Sequence, residues 1–383
     1  MIHTDNESLI HFINQTINSA ADRNASDIHF EPYETHCRVR CRQDGLLYEM
    51  GTLPCDIAKR LMIRLKIMSK LDISEQRLPQ DGRFKIQLST DHHIDIRTST
   101  CPTLYGEKIV LRLLNQQNTF REIDKLGLNT QQFQTFLKAI HKPQGLVLVT
   151  GPTGSGKTST LYAALAHLNS TEKNIVTIED PVEINLDGIN QVNVNLKSGL
   201  TFSRTLRSFL RQDPDIILIG EIRDTKTAEI AMKAAQTGHL VFSTLHTNRS
   251  YETFCRLYHL GIAPYQIAST LTLITAQRLV RKLCPHCKKE DILHKTLQEK
   301  MGVNHSIFKA DGCKHCMNGY NGRIAIHELL QIPTTILNTL LQKNDLQALL
   351  TIKNQPDFFD LEKSAFEKVF SGETSLDEIY RVL

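Results

Sequence analysis

The stretch Leu146-Val-Leu-Val-Thr-Gly151-Pro-Thr-Gly-Ser-Gly-Lys157-Thr158 decides the fold of this chain. It opens as a short apolar run of strand length, passes through a loop with three glycines, and continues into the helix-like segment Lys157–Leu168. The pattern satisfies G-x-x-x-x-G-K-[ST] in the strand–loop–helix context that the motif requires. Glycines let the backbone wrap so that successive N–H groups face phosphate oxygens, and the helix N-terminus adds to the positive field. The expected cradle is Gly151, Pro152, Thr153, Gly154, Ser155, Gly156, Lys157, Thr158 and Ser159. Lys157 supplies charge on the phosphates of ATP, and the Thr158 hydroxyl is placed to ligate Mg²⁺.

Outward from this loop the rhythm is that of buried strands alternating with helices. Asn174–Ile178, Ile216–Ile219 and Leu240–Thr244 are further short aliphatic runs, separated by the helical periods of Phe202–Arg211 and Thr227–Thr237. Strands that are apolar on both faces, joined by helical crossovers, predict a parallel α/β sheet. In such sheets ligands lie beyond the carboxyl ends of the strands. Two acidic clusters fall there. Asp213-Pro-Asp-Ile-Ile-Leu-Ile-Gly-Glu221 is an apolar strand ending in a carboxylate, with Gly220 where many P-loop enzymes carry a Mg²⁺-shell Asp. Glu179, Asp180 and Glu183 follow another strand. Glu221 and Glu179 are the expected catalytic carboxylates, able to hold a metal-bound water or to polarise the attacking one; Glu183 reads equally as a solvated loop charge. His246 closes the strand in Thr237-Gly-His-Leu-Val-Phe-Ser-Thr-Leu-His-Thr-Asn248 and is expected near the γ-phosphate, whereas His239 precedes that strand and should lie further away.

The front of the chain, 1–117, reads as a separate mixed α/β domain. Leu9, Ile13, Ile17 and Ala21 form the apolar face of an opening helix, and Ile57, Leu61, Leu65 and Met68 that of a second. Alternating strand-like runs occur at Ser26–Glu31, Cys37–Cys41, Leu46–Glu49, Arg83–Leu88, His93–Thr98 and Lys108–Leu114. A linker is expected over 118–125, within a polar stretch, followed by the ATPase domain over 126–383. Beyond Tyr265 the chain reads as mainly helical apart from its cysteine segment.

The 383 residues are 40% hydrophobic and 22% charged, values that exclude disordered, collagen-like and coiled-coil chains. A net charge of +4 is too mild to mark a nucleic-acid or membrane-surface binder. The N-terminus lacks the apolar core of a secretory peptide, and no apolar run is long enough to span a bilayer, so a cytosolic protein is expected. Work at a membrane would then go through a partner.

Of nine cysteines, four are paired as Cys284-Pro-His-Cys287 and Cys313-Lys-His-Cys316. Each C-x₂-C knuckle presents two sulfurs on one tight turn, and four thiolates close the coordination sphere of a structural Zn²⁺. The remaining cysteines show no such spacing and read as packing residues.

Together these blocks resemble the secretion-superfamily hexameric ATPases, most closely the type IV pilus assembly and type II secretion ATPases. The match rests on the P-loop, on Glu179–Glu183, on Arg211-Gln-Asp-Pro-Asp through Gly220-Glu-Ile-Arg-Asp224, and on 237–248. At the front it rests on Ala25-Ser-Asp-Ile-His-Phe-Glu-Pro32, Leu78-Pro-Gln-Asp-Gly-Arg83 and Tyr105-Gly-Glu-Lys-Ile-Val-Leu-Arg112. The resemblance implies a PAS-like N-terminal domain, then a RecA-like P-loop domain with a zinc-binding segment at 282–323 and a helical C-terminal part at 324–383. It implies that Arg97 and Arg112, with Arg83 as a lesser candidate, reach an ATP site of the same or a neighbouring subunit. It further implies a homo-oligomeric ring, a hexamer, and an inner-membrane platform protein as partner, engaged at the inner face of that membrane. The resemblance leads to the expectation of a shortened member, without the family's usual additional N-terminal docking domain. Asn248-Arg249-Ser250 departs from the family's Asn-Asp-Ala, and the cysteine segment points away from retraction ATPases. The expected function is ATP hydrolysis that drives assembly of a pilus or secretion pseudopilus. Two alternatives are a nucleic-acid-dependent RecA-like motor or helicase, and an ATP-binding regulator without turnover. Absence of Trp and balanced charge weigh against the first, and the intact Lys157, Thr158 and Glu221 against the second.

Overall fold

The computed structural model describes residues 6–89, 92–114, 122–291, 306–331 and 358–383. The chain divides into two compact units, Met1–Thr119 and Phe120–Leu383. Residues 118–121 of the expected linker lie outside the described residues, and Ile123–Leu126 form a short 3-10 turn.

In the first unit, strands β1 (Asp27–Pro32), β2 (His36–Gln43), β3 (Leu46–Pro54), β4 (Gln80–Ser89), β5 (His92–Thr103) and β6 (Gly106–Leu114) form one sheet in the order β3-β2-β1-β6-β5-β4. Every pairing is antiparallel. Period-two alternation sends Ile28, Phe30, Val39, Ile96 and Leu111 to one face, where they pack with Ile13 and Ile17 of helix Asn6–Asp22 and Leu61 and Leu65 of helix Cys55–Met68. The opposite face is polar, carrying Asp27, His29 and Glu31 from β1. Lys66, the one buried cation of the second helix, is held by both oxygens of Glu107, at 3.0 and 2.9 Å, and by the Glu75 carbonyl.

The second unit is built on a seven-stranded sheet. Its strands are β7 (Gly145–Thr150), β8 (Ile175–Glu179), β9 (Asn190–Asn193), β10 (Ile216–Ile219), β11 (Leu240–Leu245), β12 (Leu271–Leu283) and β15 (Tyr320–Leu330). The order is β15-β12-β7-β11-β10-β8-β9, all parallel except β15, which runs antiparallel to β12. Leu146 and Leu148 face one core, with the helices Phe202–Phe209 and Thr225–Gln236, while Val147 and Val149 face the other, with Thr130–Ile140 and Lys157–Leu168. Burial on both faces is why β7 reads as an unbroken apolar run.

The expected helical character beyond Tyr265 needs correction at two long strands; of the helical part expected at 324–383, residues 332–357 lie outside the described residues and the stretch beyond them is helical. Leu271–Leu283 and Tyr320–Leu330 are long paired strands, and helices are described only at Pro264–Thr270, Leu361–Phe370 and Leu376–Val382. Ile274, Val280, Ile324 and Ile326 suit a pleated surface, and both strands are buried by their neighbours, so apolar residues fall at spacings that also fit a helix. Between them β13 (Lys289–Glu290) and β14 (Phe308–Lys309) pair as a short ribbon. Arg281 fastens the C-terminal helix to β12: its Nε and Nη2 donate to Glu378 at 3.0 and 2.7 Å while its guanidinium stacks 3.8 Å from the centre of the Tyr320 ring. No helix among the described residues is long and apolar enough to cross a membrane.

Candidate nucleotide site and metal centre

Four of the parallel strands bring their carboxyl ends to one edge. From β7 comes the loop 151–158, from β8 Glu179, from β10 Glu221 and from β11 His246. Gly151, Gly154 and Gly156 have φ of 142°, 80° and 89°, conformations that disfavour any side chain. A Cβ on Gly151 would lie 2.5 Å from the Gln277 carbonyl, so the loop lies flush against β12. Gly156 caps the helix Lys157–Leu168, whose unpaired N–H groups begin at this point.

The Lys157 ammonium donates to the carbonyls of Gly151 and Pro152, at 2.9 and 3.0 Å, and so spans the mouth of the loop. Burial lowers its pKa, Glu221 opposes that shift, and Arg278 adds to it. The Ser155 hydroxyl is buried with no hydrogen-bond partner. Positive-φ glycines, a buried unpaired hydroxyl, a spanning lysine and a helix N-terminus form a donor set that fits a nucleotide phosphate chain.

Glu221 is positioned by hydroxyls on the adjacent strand. Thr244 donates to the Gly220 carbonyl at 2.7 Å and Ser243 to that of Ile219 at 2.8 Å. Its carboxylate accepts from Arg223 and lies 3.5 Å from His246 Nε2. Burial would raise its pKa, but the Arg223 hydrogen bond and charge, with His246, hold it below the usual range. Arg223 also faces Asp180 at 3.8 Å, linking the two acidic clusters. Gly220 has a steric reason: a Cβ there would come within 3.3 Å of the Glu179 Cα and the Ile178 carbonyl.

Glu179 is 5% exposed. It accepts from the Tyr162 hydroxyl, from Thr177 Oγ1 at 2.6 Å and from Gln191 Nε2 at 3.3 Å. The Tyr162 hydroxyl in turn accepts the Glu183 N–H at 3.3 Å, so the P-loop helix grips the acidic turn. Burial, with the charge and hydrogen bond of Glu179, pushes the tyrosine pKa far upward. Glu183 itself is exposed. His239 sits at the opposite end of β11, its Nδ1 3.0 Å from the Ala234 carbonyl, away from the loop as its sequence position predicts.

In the first unit the three candidate arginines share one level of the polar sheet face. Arg83 pairs with Arg97, Arg97 with Arg112, Arg112 with Asp27, and Asp27 with Arg42. Arg112 Nε donates to Asp27 at 3.0 Å. Asp27 also lies 3.9 Å from Arg42 Nε, so this row of guanidinium groups carries a carboxylate of its own at the β1 end.

The cysteines also converge. The four sulfurs lie within 4.8 Å of one another, with Cys284–Cys313 at 3.8 Å and Cys287–Cys316 and Cys313–Cys316 at 3.6 Å. Those separations approach the edge of a tetrahedron with metal–sulfur bonds of about 2.3 Å, roughly 3.8 Å. Backbone N–H groups of Gly312, Cys313 and His315 donate to Cys287, Cys316 and Cys313 sulfurs, respectively. Donors of this kind stabilise thiolates, and the set fits a four-coordinate metal.

Tyr162, Gln277, Arg223 and Arg278 are the site residues that pattern reading did not single out. Arg223 lies inside a quoted block, but the other three occupy segments whose sequence signals only helix or apolar run. Arg249, at the family departure, bridges Glu362 at 3.0 Å and buried Glu328 at 3.5 Å.

Known proteins resemble this chain over nearly its whole length. Residues 3–381 match the family described as type II/IV secretion system protein. The chain is 48% identical over 384 residues to the type IV pilus assembly ATPase PilB of Pseudomonas aeruginosa, covering 99% of this chain and 68% of that protein. It is 43% identical to the type II secretion system protein E of Dickeya dadantii, covering 99% and 76%. The solved structure of the pilus retraction motor PilT with bound ADP is similar over 96% of each chain, with a TM-score of 0.64 and 26% identity. The chain belongs to the type II/IV secretion system protein family, and it is an ATPase of that family.

Proposed function

We propose that this ATPase works as a cytosolic homo-oligomeric ring, a hexamer, recruited to the inner face of the inner membrane, where hydrolysis turns a platform protein that assembles a type IV pilus or a secretion pseudopilus. The observation that carries the chemistry is the convergence of the P-loop, Glu221 and His246 on one sheet edge. In this reading Gly151–Ser159 wrap the phosphates of ATP and Thr158 ligates Mg²⁺. A Mg²⁺ ion held there would supply charge neutralisation to the phosphates. Lys157 releases its two loop carbonyls to bind the phosphates. Glu221, kept ionised by Arg223, orients and deprotonates the attacking water, and His246 senses the γ-phosphate side. The three donors on Glu179 fit it to fix the acidic turn beside the nucleotide.

The sheet order β3-β2-β1-β6-β5-β4 with both helices on one face supports a PAS-like first unit, and the parallel order β12-β7-β11-β10-β8 with the loop 151–158 at the end of β7 supports a RecA-like second. Arg97 and Arg112 bring positive charge to the γ-phosphate of a site in the same or a neighbouring subunit. The four cysteines hold a structural Zn²⁺ in the connection between β12 and β15. Sedimentation with a non-hydrolysable ATP analogue, combined with recovery of the platform protein on the immobilised chain, tests the proposal. A ring and a captured platform protein are expected. A purely monomeric profile with no platform capture contradicts it.

A further inference from the structure

We propose that Gln277, on β12, is a positioning residue that sets the orientation of the phosphate-binding loop, an inference that rests on the loop's reading as the nucleotide cradle. The side chain is 1% exposed and sits one residue beyond the register pair Ala276–Thr150, beside the turn out of β7. Its Nε2 donates to the Ser155 carbonyl at 2.8 Å, and its Oε1 accepts from Thr160 Oγ1 at 2.9 Å. One amide thus fastens both the loop and the first turn of the following helix. A Cβ on Gly156 would lie 3.2 Å from that same Nε2, so the contact also depends on glycine there.

The peptide plane gives the contact its chemistry. Ser155 C=O and Gly156 N–H belong to one trans peptide and point in opposite directions. A donor that holds the carbonyl toward β12 therefore aims the Gly156 N–H away from the strand, into the concavity where phosphate oxygens bind. Without Gln277 that carbonyl has lost the Nε2 donor, and the plane can rotate to place an oxygen's negative end in the cradle. The Ser155 carbonyl, which can only accept, fixes which end of the Gln277 amide faces the loop, and leaves Oε1 to accept from the Thr160 hydroxyl. The amide matters here as a donor, which hydrophobic filling of the same volume does not replace.

Two variants test this in the full chain with a fluorescent ADP analogue as probe. Gln277→Met keeps the volume and removes the donor, and should weaken binding about tenfold, the effect of roughly one well-made hydrogen bond, with kcat falling less than KM rises. Gln277→Glu places an ionisable group against the Ser155 carbonyl. Protonated, the introduced carboxyl can donate to that oxygen; ionised, it repels it. Its affinity relative to wild type should therefore recover as pH falls from 8 to 6, while that of Gln277→Met stays flat. A purely structural role would not produce that pH profile, which decides the matter if the Met variant fails to fold. Binding by Gln277→Met within twofold of wild type, or a Gln277→Glu profile parallel to that of Gln277→Met, overturns the assignment. Lys157→Ala serves as the control: undiminished binding in that variant would instead overturn the cradle reading itself.

Discussion

Glu221→Gln isolates the proposed water-activating charge while leaving the architecture intact. The amide is isosteric with the carboxylate, and its oxygen can still accept from Arg223, whose second anion, Asp180 at 3.8 Å, is untouched. The side chain is 17% exposed, so no deep core is disturbed, and the melting temperature should move by no more than a few degrees. The lost functions are proton acceptance and the negative charge that His246 and Arg223 now face. A positioned general base contributes about 10²–10⁴ in rate. At about 1.36 kcal/mol per tenfold, the barrier rises by roughly 3–5 kcal/mol. Nucleotide affinity should not fall, because the charge removed is of the same sign as the phosphates. The assay is phosphate release under saturating Mg-ATP, paired with equilibrium binding of a fluorescent ATP analogue. A kcat within threefold of wild type would refute the assignment of Glu221, and so would a rate loss wholly explained by weaker binding.

Other expectations follow from the same geometry. Arg112→Ala, which also frees Asp27 from its 3.0 Å hydrogen bond, should lower kcat by about 10²-fold or more with the fold retained by circular dichroism; a change under threefold would remove the arginine row from the reaction. Cys316→Ser should reduce bound zinc, measured by thiol-reactive release and a zinc-sensitive dye, from about one per chain to a small fraction, and should weaken hydrogen-exchange protection in β12 and β15. Buried His327, whose Nε2 lies 2.9 Å from the Leu126 carbonyl, has its pKa lowered by burial from 6.5 to about 4. The unfolded chain therefore binds the extra proton first. This contribution is complete above pH 6.5 and is lost as pH falls toward 4, amounting to about 3 kcal/mol. Denaturant titrations across that window should show the slope flatten in His327→Gln, and an unchanged slope would contradict the assignment.

The second unit was legible where its sequence obeys a single rule. The loop 151–158 is a contiguous motif with a mechanism, and β8, β10 and β11 are short apolar runs bounded by polar turns, so Glu179, Glu221 and His246 could be placed at strand ends. The two C-x₂-C pairs were equally direct, since ligand spacing is local. The β12–β15 pair was not, because a long strand buried on both faces loses its period-two signature and resembles a buried helix. Gln277 and Tyr162 were invisible for a related reason. Each acts through a partner more than 15 residues away, and nothing in their own segments distinguishes a buried polar anchor from a packing residue. The arginine row shows the reverse: Arg97 and Arg112 came from resemblance, but only the register of β4, β5, β6 and β1 reveals that Arg83 and Arg42 share their level.

In the proposed reading, ATP is hydrolysed at the loop 151–158 by an assembled ring. Specific ATPase activity measured against chain concentration, with the oligomer followed in the same samples by light scattering, tests it most directly. Activity should rise with the oligomer, and Lys157→Ala should abolish hydrolysis without dissolving the assembly. Full activity in the monomer, or turnover by Lys157→Ala equal to wild type, would contradict it.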